Sequence, residues 1–261
     1  MLNHELIESQ LLIFILSLVR VLSAFTIMPL LSKSLLGGAM LRNGVAMSLT
    51  IFIFPLVEPG YYIQEWSNWD LFIIVLKETF IGIMIGYCIS LIFWSVDAVG
   101  FFIDNQRGAT MASSLNPLSG EQTSPMGIFL SQTVNTVFFS TGGFLIFLSG
   151  LYTSYQAWPL FEFYPEINPG MVDFFLSLLD LLMFFTAVLA APIILAMFFA
   201  EFGLALVGRF APQLDVFFLA MPIKSAISVA IMIVYLSFLV YYFNRHLHMI
   251  DQIFSRIASF I

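Results

Sequence analysis

Six apolar runs dominate this chain and restrict it to very few architectures. They fall at Leu11–Leu31, near Val45–Val57, and at Leu71–Val96, Met126–Tyr152, Phe174–Ala200 and Ser225–Phe243. A membrane-spanning helix needs about 20 mostly apolar residues. Only helices and closed barrels satisfy their backbone groups in lipid, and runs this long suit helices. Hydrophobic residues make up 60% of the chain and charged residues 10%, against about 25% charged in soluble domains. The expected class is an all-α integral membrane protein. A single helical membrane domain over 1–261 is expected, because no polar block is long enough to fold alone. The formal net charge of −7 weighs against nucleic acid, whose phosphates need clustered Lys and Arg. Cys88 is the one cysteine, so it has no intrachain partner and reads as a buried thiol. Glu5 and Glu8 precede the first run where a cleavable signal would carry positive charge, so none is expected.

Two interruptions stand out. The first, Asp97–Pro125, reads DAVGFFIDNQRGATMASSLNPLSGEQTSP. Its polar clusters, Asp104–Arg107 and Glu121–Ser124, alternate with small and apolar residues. Long loops inside compact domains are usually functional or disordered. The expectation is a pore-lining or pore-plugging loop. Met111 is unbranched and deformable, and with Leu115 four residues on it makes either an apolar plug or a loop anchor. The second interruption, Glu201–Lys224, carries Gly203, Gly208, Arg209, Pro212, Asp215 and Pro222. It is expected to be re-entrant or an irregular extra helix packed inside protein.

The distribution of Lys and Arg sets an orientation. The residues before Leu11, the loop 58–70 and the loop 153–173 have neither and fit the outer side. Connectors with Lys33 and Arg42, with Arg107, and with Arg209 and Lys224 then fall inside. Six crossings would leave the C-terminus outside, yet it carries Arg245 and Arg256. Either Glu201–Lys224 crosses once more, or the helices are not all simple bilayer spans.

Charges within or beside the apolar runs are Arg20, Lys77, Glu78, Asp97, Asp180, Glu201 and Lys224. Such charges face protein or water. They serve either an ion relay or pairing between helices or subunits, and pairing is the preferred reading. Lys77 and Glu78 are sequence neighbours and so are expected to need other partners, within the chain or on other chains. Gly82 and Gly86 form GIMIG, a small-xxx-small spacing that lets helices approach. Gly142-Gly143 and Gly37-Gly38 allow close packing or a bend. His4, His246 and His248 lie near the ends and share no helix face. No catalytic, metal-binding or phosphate-binding motif is present, so no catalytic residue, metal or cofactor is assigned.

DNQRGATMASSLNPLSGEQTSP (Asp104–Pro125) and EFGLALVGRFAPQLDVFFLAMPIKS (Glu201–Ser225) together resemble the type III secretion export-gate family, SctT in injectisomes and FliR in flagella. Pro29–Lys33, Leu41–Gly44 and Lys77-Glu78 with Gly82 add to the resemblance, which runs from about Leu11 to Tyr242. The DNQRGA wording is similar to the injectisome branch. The resemblance implies a multi-helix export-gate subunit with broken helices and a central plug loop, at the bacterial inner membrane. It implies SctR-like and SctS-like partners, an SctU-like switch protein, and secreted polypeptides in transit, driven by a separate ATPase and the proton gradient. It implies that the assembly sits largely above the bilayer plane, and that the loop matching Asn105–Gln122 projects into the channel. Plug or gating residues are then Asn105, Gln106, Arg107, Gly108, Met111, Leu115, Asn116, Pro117 and Gly120. Asp104, Arg107 and Glu121 are expected to pin the loop base by charge pairing. Assembly or structural residues are Lys77, Glu78, Gly82, Gly86, Glu201, Arg209, Pro212 and Lys224. A small-solute secondary transporter with broken helices is the alternative. An intramembrane enzyme is a further rival, without a nucleophile–base pair or metal cluster behind it.

Overall fold

The apolar runs become helices, but their ends are set by glycines, prolines and packing rather than by hydropathy. A computed structural model describes residues 2–31, 37–57, 67–109, 124–162, 170–211, 213 and 215–259. The elements are α1 (Leu2–Ile27), α2 (Ala39–Ile53), α3 (Asn68–Gln106), α4 (Pro125–Ser140), α5 (Gly143–Ala157), α6 (Gly170–Phe210) and α7 (Val216–Ser259). Short 3-10 turns follow α1 at Pro29–Leu31 and α2 at Phe54–Leu56. No strand occurs among the described residues.

Three boundaries differ from the sequence expectation. First, α3 does not stop near Val96 but takes Asp97–Gln106 into helix. Its polar side chains find partners there, as Asp97 does with Ser131 at 3.2 Å. The helix ends where Gly108 adopts φ +82°, the left-handed corner that glycine takes without a Cβ clash. Second, the expected single run Met126–Tyr152 is two helices, α4 and α5. Gly142 turns the corner at φ +81°. Third, Glu201–Lys224 is not an irregular extra helix but the end of one long helix and the start of the next. α6 continues through Gly203, Gly208 and Arg209, and α7 continues through Pro222 and Lys224. The break between them falls in residues 211–215. Asp215 starts α7, accepting from the Phe218 and Leu219 amides at 3.4 and 3.1 Å, as a helix N-cap does. Among the described residues, no separate helix lies between α6 and α7.

The described chain divides into two units. One takes the chain up to Leu91, Gly142–Leu178 and the chain from His248. Its core includes Ile13, Leu16, Val57, Ile74, Leu160 and Phe161. Here α3 lies close along α1 because GIMIG has no side chains in the way. A Cβ at Gly82 would overlap Ser23 Oγ and the Arg20 carbonyl, and one at Gly86 would sit 2.7 Å from the Ala24 carbonyl oxygen. The small-xxx-small spacing thus has a defined partner.

The other unit takes Ile92–Thr141 and Leu179–Leu247. Phe93 stacks edge-on against Phe138 at 5.2 Å and Phe243 at 6.4 Å. A Cβ at Gly100 would overlap the Gly127 backbone, so α3 has no room for a side chain there.

Among the described residues, five helices are long and apolar enough to cross a membrane, or six if the pair α4–α5 is one crossing. Many large apolar side chains remain uncovered, among them Phe52, Phe199, Phe210, Phe218, Ile233 and Val234.

Candidate functional site

The two flanks of the polar interruption meet in a hydrogen-bonded neck. Asp104 lies near the end of α3 and is buried. Its Oδ2 accepts from Ser124 Oγ at 2.7 Å and from the Met126 amide at 3.0 Å. Arg107 Nη2 lies 2.7 Å from the other oxygen, Oδ1, as an ion pair rather than an aligned hydrogen bond. Ser124 is also the N-cap of α4, accepting from the Gly127 amide at 2.9 Å. Pro125 has no amide to satisfy, and Ile128 donates to the Ser124 carbonyl at 2.9 Å. The first-turn donors of α4 are therefore matched, one by a carboxylate from another helix. A negative charge suits a helix N-terminus, and Arg107 suits the C-terminal end of α3. Gly108 then packs on α7: a Cβ there would lie 3.3 Å from both Met221 Cγ and Met221 Cε.

The predicted plug residues divide at this neck. Arg107 and Gly108 belong to it, the latter donating to the Asn105 carbonyl at 3.1 Å. Asn105 is exposed and Gln106 half-buried in the last turn of α3. Met111, Leu115, Asn116, Pro117, Gly120 and Glu121 lie outside the described residues, as does Pro212. Of the charges expected to pin the base, Asp104 and Arg107 do meet.

Within the same unit, Lys224 Nζ pairs with Glu201 Oε2 at 2.9 Å, tying α7 to α6. Near the turn, a Cβ at Gly208 would overlap Val216 Cγ2. Arg209 is exposed in the last turn of α6, where a cation complements the helix dipole.

The other unit holds a buried charge network. Arg20 Nε and Nη2 bind Glu78 Oε2 and Oε1 at 2.7 and 2.8 Å, a two-pronged pair. Arg20 also donates to Ser154 Oγ at 3.0 Å and to the Trp158 carbonyl at 2.9 Å. Its guanidinium lies 4.0 Å from the centre of the Tyr155 ring, and the Tyr155 hydroxyl donates to the Ser17 carbonyl at 2.6 Å. Lys77 Nζ donates to the Pro159, Leu160 and Glu162 carbonyls at 2.8–2.9 Å and sits 3.2 Å from Glu78. Lys77 and Glu78 thus find partners in their own chain, and they also touch each other.

Sequence reasoning missed Ser124, Met221 and the central place of Arg20. Ser124 had a signal, since Ser before Pro is a helix-start pattern. Met221 had none. Among the described residues, no three His, Cys, Asp or Glu side chains gather as metal ligands.

Comparison with known proteins shows the family. Residues 11–250 match the family described as bacterial export proteins, family 1. The chain is 48% identical over 231 residues to Yop proteins translocation protein T of Yersinia pestis, covering 88% of each. It is 37% identical to secretion system apparatus protein SsaT of Salmonella typhimurium, over 79% of this chain and 80% of that one. It is 34% identical to surface presentation of antigens protein SpaR of Salmonella typhimurium, over 90% and 85%. With its apolar helices it is a multi-pass membrane protein. A match this long takes in the neck, the α6–α7 turn and the buried charge network alike, and the chain belongs to family 1 of the bacterial export proteins.

Proposed function

We propose that this chain is a core subunit of a type III secretion export gate in the bacterial inner membrane. It helps to form and seal the channel through which unfolded proteins leave. The observation that carries this reading is the near-full-length match to a translocation protein, which spans both polar motifs. SctR-like and SctS-like subunits surround it, an SctU-like protein contacts the gate, and secreted polypeptides pass through. The assembled gate stands largely above the bilayer plane. The chain itself carries no catalytic step. The relatives are named for translocation and secretion, which gives no support to a small-solute transporter.

In this reading the segment that leaves the neck between Arg107 and Ser124 is the channel plug. Met111 and Leu115 supply the soft apolar surface, and Pro117 and Gly120 shape the turn. Polar and small residues let a polypeptide slide while a few deformable ones hold back ions. The test is deletion of Gly108–Leu115 in otherwise intact complexes. Ion leak should rise while the partner subunits still co-purify. Unchanged ion permeability at normal complex yield would reject the plug.

A further inference from the structure

We infer that Asp104 is the positioning residue of the plug: one carboxylate grips both sides of the neck and thereby fixes where the segment enters the channel. The inference rests on the plug reading above.

The geometry sets Asp104 apart from an ordinary surface acid. It is 1% exposed. One oxygen serves the incoming side, paired with Arg107 just beyond α3. The other serves the outgoing side, bound to Ser124 Oγ and the Met126 amide. The two flanks are thus joined through a single side chain. Ser124 relays the grip, because its hydroxyl donates to Asp104 while accepting from the Gly127 amide. Behind the neck, Gly100 and Gly127 hold α3 and α4 in backbone contact. Met221 closes over Gly108 from α7. Removing the carboxylate leaves Arg107 without its ion pair and the Met126 amide without an acceptor. The helices keep their glycine contact, so the loss falls on the neck rather than on the fold. Charge-assisted bonds such as these are about twice as strong as neutral ones, which suits a fastening that must hold while polypeptide is driven past it.

The experiment uses full-length chain in complete export complexes, with ion leak and complex yield read together. Asp104→Ala should raise the leak to a level comparable with the Gly108–Leu115 deletion, at normal yield. Asp104→Asn keeps an acceptor oxygen for Ser124 and Met126 and should leak less than Asp104→Ala. The double swap Asp104→Ser with Ser124→Asp rebuilds the bridge from the opposite side and keeps a cap on α4. It should restore the seal.

A tight Asp104→Ala complex at normal yield overturns the inference. So does a swap that leaks as much as the single change. If Asp104→Ala does not assemble, Ser124→Ala decides: a leak supports the grip, and a tight complex makes Asp104 structural only. A leaky deletion with a tight Asp104→Ala rejects the anchor and keeps the plug. Tightness in both rejects the plug itself.

Discussion

Arg20 sits inside an apolar run with its side chain fully covered, so its charge must be answered within the fold. Glu78 answers it with both oxygens, and Ser154 and the Trp158 carbonyl take further donors. Breaking one partner of such a pair costs about 3–5 kcal/mol, because the other charge stays buried and uncompensated. Glu78→Ala should therefore lower the thermal stability of the purified chain in detergent, with any loss of assembly following from that. Replacing both partners with apolar residues of similar volume should recover most of the loss, since desolvation of the pair offsets much of its attraction. A Glu78→Ala chain that melts with the wild type would show the pair to be idle. Sequence made the charges conspicuous, because lipid will not hold them. It could not reveal that Arg20 and Glu78, 58 residues apart, answer each other. Nor could it reveal that Lys77 is held by three carbonyls after α5. Those facts arise from tertiary packing.

Among the elements, the glycines divide into those that permit contact and those that merely sit in helices. Gly86 lies against Ala24, whereas Gly203 faces open space. Gly86→Leu should force α1 and α3 apart, with an overpacking loss of about 1–3 kcal/mol. Gly203→Ala should stabilise α6 by up to about 1 kcal/mol through helix propensity alone. Denaturant unfolding of the two variants, followed by helix content, measures the contrast. Equal effects of the same sign would remove the packing argument.

Hydropathy located every apolar run, but it placed three boundaries wrongly for one reason. It reports what lipid would accept, and helix ends here answer to other groups. Asp97–Gln106 is polar yet helical because α4 supplies partners to Asp97 and Asp104. Met126–Tyr152 is apolar yet broken because Gly142 turns left-handed. The neck was half legible: its charges were conspicuous in the sequence, while Ser124 and Met221 required the fold.

For the whole molecule, helix length against apolar exposure sets what must surround it. α6 has 41 residues and α7 has 44. At 1.5 Å per residue each is about 60 Å or more of helix, roughly twice the hydrocarbon core of a bilayer. Among the described residues, five crossings from an outer N-terminus would leave the C-terminus with Arg245 and Arg256 inside, and six would leave it outside. Exposed apolar residues recur along α6, at Val172, Met183, Phe199 and Phe210, and on α7, as at Val234. Hydrocarbon of that thickness cannot cover the full length of α6, and neighbouring protein chains are the expected cover for the rest. Single cysteines at these five positions, with Cys88 replaced, test this against a water-soluble maleimide. In the chain expressed alone, some positions should label. In the purified complex the same positions should be protected by neighbouring subunits. If all five stayed unlabelled in the lone chain, lipid alone would account for the exposed surface and the need for surrounding subunits would fall. If labelling persisted in the complex, those faces would not be subunit contacts.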